Sequence, residues 1–204
     1  QIDFTGPYPR SVYGNSMCLT IIDRFTHHVT FVPTQDGTAE STALALWNHV
    51  FCVHGCPRVI LSDNGAPFRS ELVRRLHDLL GVRQVFTTPY HPRTNGMAER
   101  VHRYLKATLR IYNNDNQTEW DMTLSTLSFA YDSSVIKHLG RSPFQNIYGR
   151  VPRLPTTVDI GPPPSNILGR EDYHKSLLRE FKRANDIIQT RDAMAAHANK
   201  AYYD

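Results

Sequence analysis

The 204-residue chain patterns as an α/β domain followed by a helical extension. Three observations predict this. Short β-type runs at Met17 to Ile22, His28 to Pro33, Arg58 to Ser62 and Val82 to Thr88 alternate with stretches of helical period. One run, Arg58-Val59-Ile60-Leu61-Ser62, is largely apolar and ends in Asp63-Asn64-Gly65, so an acid leaves the carboxyl end of a buried strand, where open α/β sheets place their sites. A hydrophobic content of 40% over this length supports a real core.

Taken in order, Ile2-Asp3-Phe4 puts an acid in a first strand, just before the turn at Thr5-Gly6-Pro7. The runs on either side of Asp23-Arg24-Phe25 are close enough to form a hairpin, with Asp23 as a turn acid and His27 and His28 as hairpin residues rather than ligands. Asp36-Gly37-Thr38 supplies a turn and an N-cap for a helix that puts Ala43, Leu46, Trp47, Val50 and Phe51 on one face and stops at Gly55 and Pro57. Cys52, His54 and Cys56 lack the C-x2-C framework of a zinc site, and core packing with a helix end explains them better. Ser70 caps a helix with Leu72, Val73, Leu76, Leu79 and Leu80 inward, closed by Gly81.

The 87–112 stretch concentrates the charge. Arg93, Arg100, Arg103, Lys106 and Arg110 against the single acid Glu99 leave four net positive charges, as many as the formal +4 of the whole chain. A loop at Tyr90 to Gly96 leads into a helix whose Ala98, Val101, Leu105, Leu109 and Tyr112 form an apolar stripe, while Glu99, Arg103, Lys106 and Arg110 share the other face. A lone carboxylate beside a basic ridge suits a site for a cation and a phosphate backbone together. Taken alone, the helix fits a solvated amphipathic face equally well.

Further on, Thr118-Glu119-Trp120-Asp121 resembles a capping box before a helix bearing Trp120, Leu124, Leu127 and Tyr131. Ser142 to Arg150 patterns as a short helix. Pro152 to Gly169 holds five prolines and reads as a linker. From Arg170 onward, Tyr173, Leu177, Phe181, Ala184 and Ile188 mark one long amphipathic helix. Three cysteines argue against a secreted disulfide framework, and no apolar run of membrane-spanning length predicts a membrane partner. No G-x-S-x-G elbow occurs, which disfavours a serine hydrolase.

In this order along the chain, Asp3-Phe4-Thr5-Gly6-Pro7, Ile22-Asp23-Arg24-Phe25, His54-Gly55-Cys56-Pro57, Ser62-Asp63-Asn64-Gly65, Tyr90-His91-Pro92, Thr94-Asn95-Gly96, Ala98-Glu99-Arg100, Ser142-Pro143-Phe144 and Tyr148-Gly149-Arg150 resemble the catalytic core of retroelement integrases, particularly those of long-terminal-repeat retrotransposons and their domesticated relatives. The resemblance covers about three quarters of the chain, Asp3 to Pro155. Two acids plus a glutamate, with 35 residues between Asp63 and Glu99, are more specific than any one motif. Arg93 and Met97 stand where glutamines are common in the family.

The resemblance implies a ribonuclease-H-like mixed sheet flanked by helices over residues 1–155, its first strand truncated, then the linker at 156–169 and a helix at 170–204 leading to a missing C-terminal domain. A start at Gln1, inside a strand, fits a processed or excised fragment. The implied site is Asp3, Asp63 and Glu99 as catalytic metal ligands for Mg2+ or Mn2+, two ions about 4 Å apart serving an in-line phosphodiester displacement. Arg93, Asn95, Arg100, Arg103, Lys106 and Arg110 are the implied DNA contacts. The implied activity trims the 3′ ends of double-stranded element DNA and joins them to target DNA, in a homo-oligomer acting in the nucleus, after a virus-like particle or cytoplasmic stage. Two other readings remain open: a domesticated DNA- or partner-binding protein without catalysis, and a ribonuclease-H-like nuclease without joining activity.

Overall fold

The computed structural model describes residues 1–87, 92–113, 117–154 and 170–203, without the side chains of 92–95, 170–171 and 195–203. Contacts divide the chain into two compact units. The first comprises Gln1–Arg24 and Val29–Phe129, and the second Phe25–His28 and Ala130–Asp204.

In the first unit, β1 (Ile2–Thr5), β2 (Met17–Ile22) and β3 (Val29–Thr34) form an antiparallel sheet in that order, with Asp3 opposite Thr20 and Thr20 opposite Phe31. A second, parallel sheet pairs β4 (Val59–Ser62) with β5 (Arg83–Phe86). The crossover between them is α3 (Glu71–Leu79), the connection parallel strands require. β1 lies beside β4, which brings the ends of the two sheets together. Ile2, Leu19, Val32, Ile60 and Val82 of the strands and their borders share one core with Ala45, Leu46, Phe51 and Phe68. Alternation along β1 sends Ile2 and Phe4 into that core and leaves Asp3 on the opposite face.

Helix α1 (Ala39–Leu46) starts where expected: the Thr38 hydroxyl accepts from Ser41 N, and Asp36 Oδ1 accepts from Thr38 and Ser41. Its buried face differs from the predicted one. Thr42, Ala45, Leu46 and Phe51 are buried, whereas Trp47 is 47% exposed. The cause is a π-helical turn at Trp47–Phe51, followed by the single turn α2 (Cys52–His54). A π turn inserts one residue, so the inward position after Leu46 falls at Phe51 and Trp47 is turned outward. In α3 the Ser70 cap and the Gly81 terminus stand as predicted, the latter at φ +65°. Leu79 is exposed at 83%, however, and the buried place is taken by His77, whose Nδ1 lies 3.2 Å from Gln84 Oε1. That bond engages one nitrogen of the imidazole, while Nε2 is buried without a hydrogen-bond partner among the described residues.

Helix α4 runs from Pro92 to Tyr112, so Asn95 and Gly96 belong to its first turns and not to a preceding loop. Proline at a helix start loses no needed N–H, which lets the helix begin there. Tyr90 and His91 lie outside the described residues. Ala98, Val101, Leu105 and Leu109 are buried as the stripe predicts, but Tyr112 is exposed in the last turn. Helix α5 (Trp120–Ser133) packs on α4 through Leu124 and Leu127, and the Tyr104 hydroxyl donates to Leu127 O. The expected capping role of Asp121 is replaced: Oδ2 accepts from the Ser11 hydroxyl and Asn15 Nδ2, tying α5 to the turn after β1.

In the second unit, α6 (Pro143–Tyr148) has a capping box built by Ser142 and Gln145 and ends at Gly149 with φ +66°. A Cβ at Gly149 would lie 2.6 Å from Leu177 Cδ1, so glycine permits both the turn and the approach of α7 (Arg170–Tyr203). Of the predicted α7 stripe, Ala184 and Ile188 are buried and Tyr173 is exposed. The proline-rich stretch from Pro155 to Gly169 lies outside the described residues. No helix among those described is long and apolar enough to cross a membrane.

The π turn makes a direct prediction. Leu46→Ala should cost about 2–5 kcal/mol in urea unfolding, as a buried leucine does. Trp47→Ala should cost less, roughly 1 kcal/mol, since about half of the indole is already exposed and its contact with Phe51 is an edge contact. Equal, large losses would put Trp47 in the core and the π turn in error.

Candidate active site

Asp3 sits on β1 and Asp63 follows the last residue of β4, and the adjacency of these strands brings the two carboxyls together. Burial, and then the charge of Asp63, raise Asp3 to about 6, against a smaller opposing pull from the Phe4 backbone N–H. Asp63 is held by its own turn. Its Oδ1 accepts from Gly65 N at 3.0 Å, and a Cβ on Gly65 would stand 2.9 Å from that oxygen, so glycine leaves the carboxylate its position. Behind it, Gln84 Nε2 donates to Phe68 O at 2.7 Å and Thr87 N to Ser62 O at 2.8 Å, fixing the end of β4 against β5.

Glu99 enters on α4. One turn later, His102 Nδ1 lies 3.8 Å from Asp3 Oδ2, so this side of α4 approaches Asp3, but Glu99 itself does not close a three-ligand group with Asp3 and Asp63 among the described residues. His102 was not singled out by the sequence; its spacing of three from Glu99 is the signal that could have found it. The separation is too long for a hydrogen bond. Burial, then Lys106, lower His102 to about 4. With Asp3 titrating near 6, the imidazole is already neutral wherever the carboxylate is charged, so the contact is not an ion pair at neutral pH. The other ring nitrogen, Nε2, is buried without a hydrogen-bond partner among the described residues.

Arg103, Lys106 and Arg110 continue along α4 with Glu99 and His102, lining an open groove together with Ala107. Lys106 and Arg110 also border a second hollow with Tyr8, Leu109, Asn113 and Trp120, whose indole donates to Pro9 O at 2.8 Å. Arg100 is exposed on the same helix. The side chains of Arg93 and Asn95 lie outside the described residues. Cys52 and Cys56 are exposed free thiols, and they form no metal-type cluster with His54 among the described residues.

Asp3 and His102 pull stability in opposite directions. Asp3 has a folded pKa above its ordinary 3.8, so the folded chain holds the extra proton and its stability falls as pH rises from about 4 to about 6. His102 has a folded pKa below its ordinary 6.5, so the folded chain resists the proton and stability falls as pH drops from about 6.5 to about 4. In metal-free chain, Asp3→Asn should therefore gain stability over the parent as pH rises through that window, by about 2 kcal/mol at its end. His102→Asn should gain on the parent as pH falls. Urea midpoints across pH check both, and parallel profiles for parent and variants would contradict the site's electrostatics.

Residues 1–92 match the family model of the integrase core domain. Over all of this chain, 205 aligned positions are 24% identical to the retrovirus-related Pol polyprotein from transposon 412 of Drosophila melanogaster. Over 76% of it, the identity to the Gag-Pol polyprotein of feline leukemia virus is 30%. The chain spans 16% and 9% of those two polyproteins. Among solved structures, a simian T-cell lymphotropic virus intasome in complex with PP2A regulatory subunit B56 gamma superposes with a TM-score of 0.63 at 24% identity, over 82% of this chain and 58% of that one. The HTLV-2 integrase catalytic core domain in complex with magnesium, a trimeric form, gives 0.58 at 18% identity, over 71% and 92%. The fold is therefore ribonuclease-H-like. With the matched core domain and these relatives, the chain belongs to the retroelement integrase catalytic-core family.

Proposed function

We propose that this chain is the catalytic portion of a DNA-integrating polynucleotidyl transferase, which trims the 3′ ends of element DNA and joins them to target DNA. The observation that carries the reading is the meeting of Asp3 and Asp63 at the ends of adjacent strands, where burial, and then the charge of Asp63, hold Asp3 near 6. Such a pair is short of positive charge, and a cation is what the donor set fits: carboxylates are the hard-oxygen ligands that Mg2+ or Mn2+ prefers. Asp3, Asp63 and Glu99 would hold the metal, two ions in this reading. When bound there, divalent ions supply the charge that activates an attacking oxygen and offsets the charge growing on the leaving one.

The chain's own residues provide the rest. Asp3 takes up its ligand role deprotonated, so proton and cation compete for it increasingly as pH falls below about 6. His102, neutral beside Asp3, adds no competing positive charge at the metal side. Arg103, Lys106 and Arg110, at successive turns of one helix, give a ridge about 10 Å long that follows several phosphates and orients the duplex without reading its bases. Arg93, Asn95 and Arg100 extend these contacts toward the start of α4. Joining needs two DNA ends, so the acting form is an oligomer, and its DNA substrate places the act in the nucleus. Of the two structural relatives, one is described as an intasome and the other as a magnesium complex, which supports the reading by analogy.

Asp63→Asn and Glu99→Gln each keep shape and remove the charge that holds a cation, so both should reduce Mg2+-dependent cleavage and joining of duplex oligonucleotides to background. Circular dichroism should stay as in the parent. Near-normal metal-dependent joining by either variant would sink the assignment. The double substitution of Arg103 and Lys106 by alanine should weaken duplex binding similarly across sequences and flatten its salt dependence by about one to two counterions. A binding curve unchanged between low and moderate salt would reduce the ridge to a solvated face.

A further inference from the structure

A second cluster of ligand-type side chains lies wholly within the second unit, away from the three acids in sequence and independent of their role. It joins the turn Phe25–His28, the loop after α5, and α7. His27 Nε2 is 3.4 Å from Asp192 Oδ2, and His138 Nε2 is 3.0 Å from Asp192 Oδ1. One ligand atom from each residue lies within 4.8 Å of the other two. Metal bonds of about 2.0–2.2 Å to nitrogen and oxygen put the corners of a tetrahedral site about 3.2–3.6 Å apart, so each imidazole stands close to that span from one oxygen of the Asp192 carboxylate, His27 from Oδ2 and His138 from Oδ1. As a plain charge-assisted hydrogen bond, the 3.4 Å contact is too long by about half an ångström.

The backbone supports the same reading. His27 is the one non-glycine residue with positive φ among the described residues, at 65°, and it is 5% exposed. A buried imidazole on a left-handed backbone costs about 1 kcal/mol or more and persists only where its surroundings demand it. Each ligand-bearing segment is also tied down separately. Asn146 Nδ2 donates to Thr26 O at 3.2 Å, holding the turn, and Arg191 Nη1 donates to His138 O at 3.3 Å, holding the loop to α7. Gly140, at φ +67°, leaves room for that guanidinium, which a Cβ would approach to 3.2 Å.

We propose that His27, His138 and Asp192 form a zinc site that clips α7 to the turn and the loop. Two imidazoles and one carboxylate are a borderline donor set that suits Zn2+ and not the hard Mg2+ expected at the three acids. His138 and Asp192 are about one-third exposed, which leaves a fourth position for water. The spacing of these residues along the chain, 27, 138 and 192, is why no sequence motif announces the site: the hairpin reading of His27 sees no partner of ligand type nearby. Closing two long loops with one ion is also where a metal clip adds most to stability.

The test uses the full chain, stripped with chelator and dialysed against Zn2+ in excess Mg2+. Parent chain should bind one Zn2+, and its melting temperature should rise with Zn2+ concentration. His138→Gln and Asp192→Asn, both at partly exposed positions and checked for parent-like circular dichroism, should each weaken zinc binding at least as much as the roughly tenfold to hundredfold lost with an outer-shell partner. Both should lose the thermal shift. Co2+ in place of Zn2+ should show the visible bands of a low-coordinate ion without thiolate charge-transfer absorption. No zinc on folded parent chain, or variants that bind zinc as the parent does, would overturn the proposal. So would thiolate bands, which would place the ion on Cys52 or Cys56.

Discussion

Two carboxyl groups that repel one another, held at the ends of neighbouring strands, are the constraint on which this structure turns. Ile2 and Phe4 anchor β1 in the same core that Ile60 anchors for β4. The hydrophobic effect thus holds β1 and β4 together against an electrostatic cost at Asp3, and a fold that stores such a cost at one spot leaves that spot ready to receive a cation. The neighbouring elements reinforce the arrangement. The Asp63 carboxylate is fixed by Gly65, β4 is fixed by Gln84 and Thr87, and α4 presents its polar face across the gap.

Much of this was legible in the sequence wherever the signal is local. The hairpin strands, the caps at Thr38 and Ser70, and the buried stripe Ala98, Val101, Leu105 and Leu109 follow from periodicity and turn chemistry over a few residues. The differences arise where a distant contact or an inserted residue decides. Trp47 faces out because a π turn shifts the phase of the helix after Leu46. His77 displaces Leu79 from the interior because Gln84, on the next strand, offers it a partner. Asp121 leaves its cap because Ser11 and Asn15 reach it from more than a hundred residues away.

The site divides the same way. Asp63 and Glu99 are singled out by a strand end and a charged helix face, and Asp3 by the family resemblance; the fold adds that Asp3 and Asp63 feel one another's charge. His102 needed the fold, because only the approach of α4 to β1 brings it near Asp3. The His27, His138 and Asp192 cluster needed it still more, since three segments with no shared motif meet only after folding.

Helix α4 is a single rod from Pro92 to Tyr112, about 30 Å long at 1.5 Å per residue. Its buried stripe bolts it to the core along most of that length. Glu99 and the three cations that share its face, Arg103, Lys106 and Arg110, therefore keep fixed spacings, so a ligand seated against Lys106 or Arg110 meets Glu99 at a distance the helix sets. On the proposed reading, grip and chemistry therefore share one rigid part, and the ridge sets where along a polyanion the carboxylate falls.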